Sequence, residues 1–236
     1  MALPTISTPK YQLKLPSTGE SVSYRPFLVK EEKILLIAQE TKDPKQMMAA
    51  MGDIISACTF DKVKTSEITS FDLEYIFLKL RTKSVGENAD IKVQCQKCEE
   101  YNAVSINLDE ITVEVPEKKN ATIMLTDSIG VTLKYIDAKK MEKITGLIET
   151  NQMAVINELI INSIESIFDD SNVYPAIDST PAELTQFIES LNRQQMEKIE
   201  NFIGNAPKLQ HICEFKCCKC GEENSITLQG IQSFFE

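Results

Sequence analysis

Two short motifs, Cys95-Gln-Lys-Cys98 and Cys217-Cys-Lys-Cys220, hold the residues of this chain whose types and spacing could do chemistry. Their flanks match as well. Lys92-Val-Gln leads into the first and Glu214-Phe-Lys into the second, with alternating apolar stretches following each, through Val104, Ile106 and Leu108 and through Ile226 and Leu228. A Cys-x-x-Cys turn lets two sulfurs from one tight backbone reversal reach a common ion about 2.3 Å away, and four such thiolates form the closed tetrahedral set of a structural Zn²⁺. No position is then left open for a substrate. The expectation is a structural Zn²⁺ on Cys95, Cys98, Cys217 and Cys220, which ties the middle of the chain to its end.

Two readings compete with it. One is a pair of knuckles with free thiols; the other is a redox dithiol, which lacks here the strand-to-helix setting of thioredoxin-like motifs. Cys213, Cys218 and His211 lie close enough in sequence to compete as ligands. The internal match decides between them, because it aligns Cys217 and Cys220 with Cys95 and Cys98 and leaves those three without counterparts. Cys58, on a Met-rich helical face, reads as a core residue.

The elements that must position these turns follow from periodicity. Alternation on either side of Pro16-Ser-Thr-Gly19 predicts an N-terminal β-hairpin, and helices are expected from Lys30, from Asp43-Pro44 and from Ser70, the last with an apolar face of Leu73, Ile76, Phe77 and Leu80. Residues 90–136 read as strands throughout, including 111–115. From Ala138 to Gly204 the period is helical, broken at 169–175 and restarted where Thr180 caps and Pro181 opens a helix. The last thirty residues read as strand, knuckle, strand. These patterns give an α+β fold of antiparallel strands and segregated helices with a zinc-ribbon-like site, since the turns between strands are too short for crossover helices. The corresponding segments are 1–88 (hairpin and helical layer), 89–136 (β-rich, first knuckle), 137–206 (helical) and 207–236 (second knuckle), the last expected to form one compact unit with 89–136.

Composition narrows the function. With 236 residues and a 42% hydrophobic fraction the chain can bury a substantial core. Thirty-five acidic against 25 basic residues, a formal charge of −10, oppose general attraction to a phosphate backbone, so nucleic acid is an unfavoured partner. Seven cysteines without an apolar leader favour a reducing compartment. The most apolar helical stretch, 155–168, is interrupted by Asn157, Glu158, Asn162 and Glu165, so no membrane span is expected. There is one His and no phosphate-binding glycine loop, and Asp169-Asp170-Ser171-Asn172 lacks the ligand spacing of a calcium loop and reads as a solvated helix terminus. No catalytic constellation and no small-molecule substrate are expected.

The runs Met1-Ala-Leu-Pro4, Tyr11 to Gly19 and above all Tyr24-Arg-Pro-Phe27-Leu-Val-Lys-Glu-Glu-Lys33, together with Phe71 to Ser84 and the two knuckles, resemble the baseplate hub proteins of T4-like contractile-tailed phages, including those of cyanophages. The resemblance implies a non-enzymatic structural or assembly protein of the tail baseplate hub. Its partners would be other hub proteins, and its place the host cytoplasm during assembly or the virion tail. The alternative from another class is a zinc-ribbon nucleic-acid-binding module, for which Lys92, Lys97, Lys216 and Lys219 would have to form a basic stripe. Two segments read either as partner contacts or as internal packing: Tyr24-Arg25-Pro26-Phe27 and the apolar tail Ile231-Gln-Ser-Phe234-Phe235.

Overall fold

The computed structural model describes residues 7–41, 43–113, 115, 121–145 and 152–234. The fold is α+β, and the four sheets among these residues are all antiparallel. Two compact units divide the chain. The first is discontinuous, built from residues 1–65, 71–114 and 208–236; the second comprises 66–70 and 115–207.

In the first unit, β1 (Tyr11–Lys14) and β2 (Ser21–Tyr24) form the expected hairpin, with Gly19 at φ 73° where the turn requires a left-handed residue. Three helices follow: α1 (Val29–Thr41), α2 (Pro44–Cys58) and α3 (Ser70–Ser84). The Asp43 side chain caps α2 by accepting from the Lys45 N–H at 2.9 Å. Cys58 is fully buried at the end of α2 among the core residues, as its setting predicts. Burial also raises its pKa to about 11, so the thiol stays protonated.

The segment Tyr24–Phe27 packs internally. Tyr24 and Phe27 are buried, the Arg25 N–H donates to the Cys58 carbonyl at 3.0 Å, and the Arg25 guanidinium meets the buried Glu31 carboxylate at 2.9 Å. Glu31 also accepts from the Leu28 N–H at 2.8 Å in the first turn of α1. The aromatic-plus-Arg pattern is therefore the seat of α1 rather than a partner contact.

Two further hairpins complete the unit: β3 (Asn88–Gln94) with β4 (Tyr101–Asn107), and β9 (Gln210–Lys216) with β10 (Glu223–Gln229). In β3 the side chains of Ala89, Ile91 and Val93 are buried in strict alternation, the period-2 pattern of a strand with one face on a core. α3 anchors the base of the first hairpin through polar ties. Lys83 Nζ reaches Glu87 at 2.8 Å and Asp109 at 2.9 Å, and Lys79 Nζ reaches the Asp109 carbonyl at 3.0 Å. The nearby lysines, Lys83 first, hold the Asp109 carboxyl below its usual range.

Residues 111–113 are not a strand, against expectation. After β4 the chain turns: the Asn107 side chain accepts from the Asp109 N–H at 3.0 Å and its carbonyl from the Glu110 N–H at 3.3 Å. Ile111 is buried, but among the described residues no strand pairs with 111–113, and Glu114 is outside them.

The second unit holds a four-stranded sheet in the order β5 (Ala121–Met124), β6 (Gly130–Leu133), β7 (Ile164–Phe168), β8 (Val173–Pro175). Its helices are α4 (Ala138–Thr145), α5 (Gln152–Ser163), α6 (Pro181–Glu189) and α7 (Arg193–Gly204). The helical reading of 155–168 is corrected here. α5 stops at Ser163 and the chain passes directly into β7, because this segment pairs with β6 from Ile164 to Phe168 and Ser166 to Phe168 pair with β8 as well. Pairing on both edges outweighs local propensity. A Cβ on Gly130 would run into the Phe168 ring, so the close approach of β6 and β7 depends on glycine there. Asp169 is likewise not at a helix terminus. It closes the β7–β8 turn, with Oδ1 accepting from Ser171 and Asn172 N–H groups at 2.8 Å each. Leu125, Val131, Leu133, Ile160, Ile164, Ile188 and Ile199 form the core, and α6 and α7 start with the capping boxes Thr180/Glu183 and Asn192/Gln195.

The chain's apolar tail packs on its own unit as far as it is described: Ile231 is buried and Phe234 is 0% exposed, while Phe235 and Glu236 lie outside the described residues. Phe234→Ala should therefore destabilise the protein by about 3–5 kcal/mol in a denaturant titration; a loss below about 1 kcal/mol would mean that this ring is not part of the core.

Candidate metal centre

Each knuckle is the tip of a hairpin, and local hydrogen bonds give both the same turn. Cys95 N–H donates to the Glu100 carbonyl at 2.9 Å and Glu99 N–H to the Cys95 carbonyl at 3.0 Å. In the second knuckle, Cys217 N–H donates to Glu222 at 2.8 Å and Gly221 N–H to Cys217 at 3.0 Å. The residue after the second cysteine must enter the left-handed region to close the turn. Gly221 does so at φ 72° without strain, whereas Glu99 does so at φ 58° with a side chain.

The two tips meet. Cys95 Sγ lies 3.7 Å from Cys220 Sγ, Cys98 Sγ lies 3.5 Å from Cys217 Sγ, and all four sulfurs fall within 4.8 Å of one another. A tetrahedron with a metal–sulfur bond of about 2.3 Å has an edge of about 3.8 Å, so these separations suit a single tetrahedral ion. Among the described residues this is the one cluster of three or more His, Cys, Asp or Glu side chains able to hold a metal. The competing candidates stay out of it. Cys213 is buried in β9 opposite Ile226, Cys218 is exposed, and His211 sits on β9 opposite Leu228.

Electrostatics set the two leading cysteines, Cys95 and Cys217, apart from Cys98. Backbone N–H groups of the turn point at the leading cysteine. Those of Cys98 and Lys97 hold the Cys95 thiol below its usual range, and those of Cys220 and then Lys219 draw Cys217 down to about 6. Cys98 moves the other way, to about 12: the Glu100 N–H favours its thiolate, but hydrogen bonds to the neighbouring thiols and desolvation outweigh that. Four negative charges at these separations repel strongly, so protons or a cation must offset them. The surroundings supply part of the compensation. Lys97 and Lys219 stand on the two tips, and each reaches across to the other knuckle, Lys97 to Glu222 and Lys219 to Glu100, at 2.6 Å in both cases.

Two residues of this region escape a search for metal ligands. Asn102 and Asn224 are each only 5% exposed and sit beside the sulfurs, with Asn102 Nδ2 3.8 Å from Cys217 Sγ. Their signal in the sequence is an asparagine shared at the same distance after the leading cysteine of each motif.

The strain at position 99 has a measurable consequence. Glu99→Gly should raise stability by about 1 kcal/mol, read as a shift of the thermal midpoint; an unchanged or lowered midpoint would contradict it.

No curated protein and no solved structure matches the chain. A family model described as T4 bacteriophage base plate protein matches residues 8–236, nearly the full length. With that match, over a chain whose two knuckles and hairpins it spans without a break, the protein belongs to the T4 bacteriophage base plate protein family.

Proposed function

We propose that this protein is a non-enzymatic structural or assembly component of the central hub of the tail baseplate, acting through protein–protein contacts and stapled by one structural Zn²⁺ on Cys95, Cys98, Cys217 and Cys220. The convergence of four sulfurs at 3.5–3.7 Å across the two tips carries the metal part of this reading. The hub part rests on family membership together with the resemblance of the Tyr24–Lys33 run to hub proteins. Exposed aliphatic side chains on one face of α1, Val29, Leu36 and Ile37, are of the type that partner contacts cover. Among the described residues no helix is long and apolar enough to cross a membrane.

A four-thiolate ion leaves no open coordination position, so its contribution is folding energy rather than catalysis. Structural zinc is worth about 10–16 kcal/mol in small peptides. Here it would fasten the C-terminal hairpin to a hairpin 119 residues earlier. The nucleic-acid reading is less favoured, since Lys97 and Lys219 are engaged by Glu222 and Glu100 and do not form a free basic stripe.

Two measurements test the proposal. Gently purified protein should be colourless and hold one zinc per chain, and a strong chelator should lower its thermal midpoint by more than 10 °C; metal-free protein, or a midpoint indifferent to the chelator, would refute the zinc assignment. Quantitative mass spectrometry of purified tails and of assembly intermediates should find the protein with hub components. Detection only with the outer baseplate would refute the hub assignment.

A further inference from the structure

The two hairpins are copies in geometry as well as in sequence. β3 and β4 pair so that Asn88 faces Asn107, β9 and β10 so that Gln210 faces Gln229, and every pair in one ladder maps onto the other by the offset that carries Cys95 to Cys217. Even the bonds at the hairpin bases correspond: Leu108 N–H to the Glu87 carbonyl at 2.7 Å, and Gly230 N–H to the Leu209 carbonyl at 2.9 Å. Contacts between the tips therefore come in symmetric pairs. One pair is ionic, Lys97 with Glu222 and Lys219 with Glu100. The other runs from backbone to amide. Gln96 N–H donates to Asn224 Oδ1 at 2.9 Å, and Cys218 N–H donates to Asn102 Oδ1 at 2.8 Å.

We propose that Asn102 and Asn224 are the positioning residues of the metal centre, each holding the opposite hairpin's Cys-x-x-Cys turn at ligating distance. This inference rests on the zinc reading above. Each amide spans the gap between the tips. Its Nδ2 donates to a carbonyl of its own turn, Glu100 or Glu222, at 2.9 Å, and its Oδ1 accepts from the residue that follows the leading cysteine of the other turn. That backbone N–H is one step from a ligand, so the bond fixes how far one pair of sulfurs stands from the other. Burial strengthens the restraint, because a lost partner would leave a buried polar group unpaired.

The ionic pairs do less. All four side chains are more than a third exposed, and exposed ion pairs contribute little. The geometry also accounts for the residue type. An asparagine amide offers a donor and an acceptor on separate atoms without charge; aspartate would place a negative group beside thiolates, and serine would not reach across.

The test uses the full-length chain loaded with Zn²⁺, with affinity measured by competition against a chelator of known strength. Asn102→Ala and Asn224→Ala should each weaken zinc binding about 10–100-fold, and the double variant should be weaker than either. With Co²⁺ as the probe, the visible absorption of the four-thiolate site should change in shape as its geometry loosens. Lys219→Ala should stay within about threefold of the parent. If an alanine variant fails to fold, Asn102→Ser and Asn224→Ser, which keep a polar group but not its reach, should show the same loss of affinity. Asparagine variants within threefold of the parent, with an unaltered Co²⁺ spectrum, would overturn the positioning role while leaving the zinc site intact. A parent protein that binds no zinc would instead remove the reading beneath it.

Discussion

Four sulfurs within 4.8 Å of one another are the constraint on which the junction of the two Cys-x-x-Cys hairpins depends. Closing a loop between positions 119 residues apart costs about 4 kcal/mol of chain entropy by the (3/2)RT ln n estimate, and concentrated thiolates repel one another besides. Both costs fall on a junction where, among the described residues, the tip-to-tip bonds that do not involve sulfur are two amide bridges and two exposed ion pairs. A tetrahedral cation is the simplest agent that offsets both. On the proposed reading it gathers the charge and joins the hairpins in one step.

This junction matters because the unit it belongs to is discontinuous in sequence. Residues 115–207, which lie between the two Cys-x-x-Cys hairpins in sequence, belong with 66–70 to the other unit, so β9 and β10 join helices and a hairpin that come much earlier in the chain. The earlier part is firmly held. α3 grips both ends of the first hairpin through Lys83, and the Arg25–Glu31 pair seats α1. The returning part has a different set of anchors: the knuckle and the buried Ile231 and Phe234.

Much of this was legible in the residues, for physical reasons that differ by element. The Cys-x-x-Cys spacing encodes a turn by itself, and the matching flanks identify the partners among seven cysteines. The hairpin over Gly19 and the capping box at Thr180 are likewise local, set by one left-handed residue and by one side chain reaching back three positions. Where structure depends on distant partners the local pattern misleads. Residues 164–168 carry helical periodicity with α5 but become a strand between β6 and β8, and 111–113 alternate like a strand but join no ladder among the described residues. Tyr24 and Phe27 show the same limit at a single-residue scale, since aromatic residues beside an arginine suit an interface or a core equally and burial alone separates the two. Asn102 and Asn224 were visible as a repeated letter, but their meaning appears only when one hairpin's amide is seen to meet the other hairpin's backbone.

The claim at the centre is that one ion sits among these four particular sulfurs. X-ray absorption at the zinc edge of the full-length protein measures that environment directly. The account predicts a single shell of four sulfurs at about 2.3 Å. A shell containing nitrogen or oxygen, or fewer than four sulfurs, would contradict it.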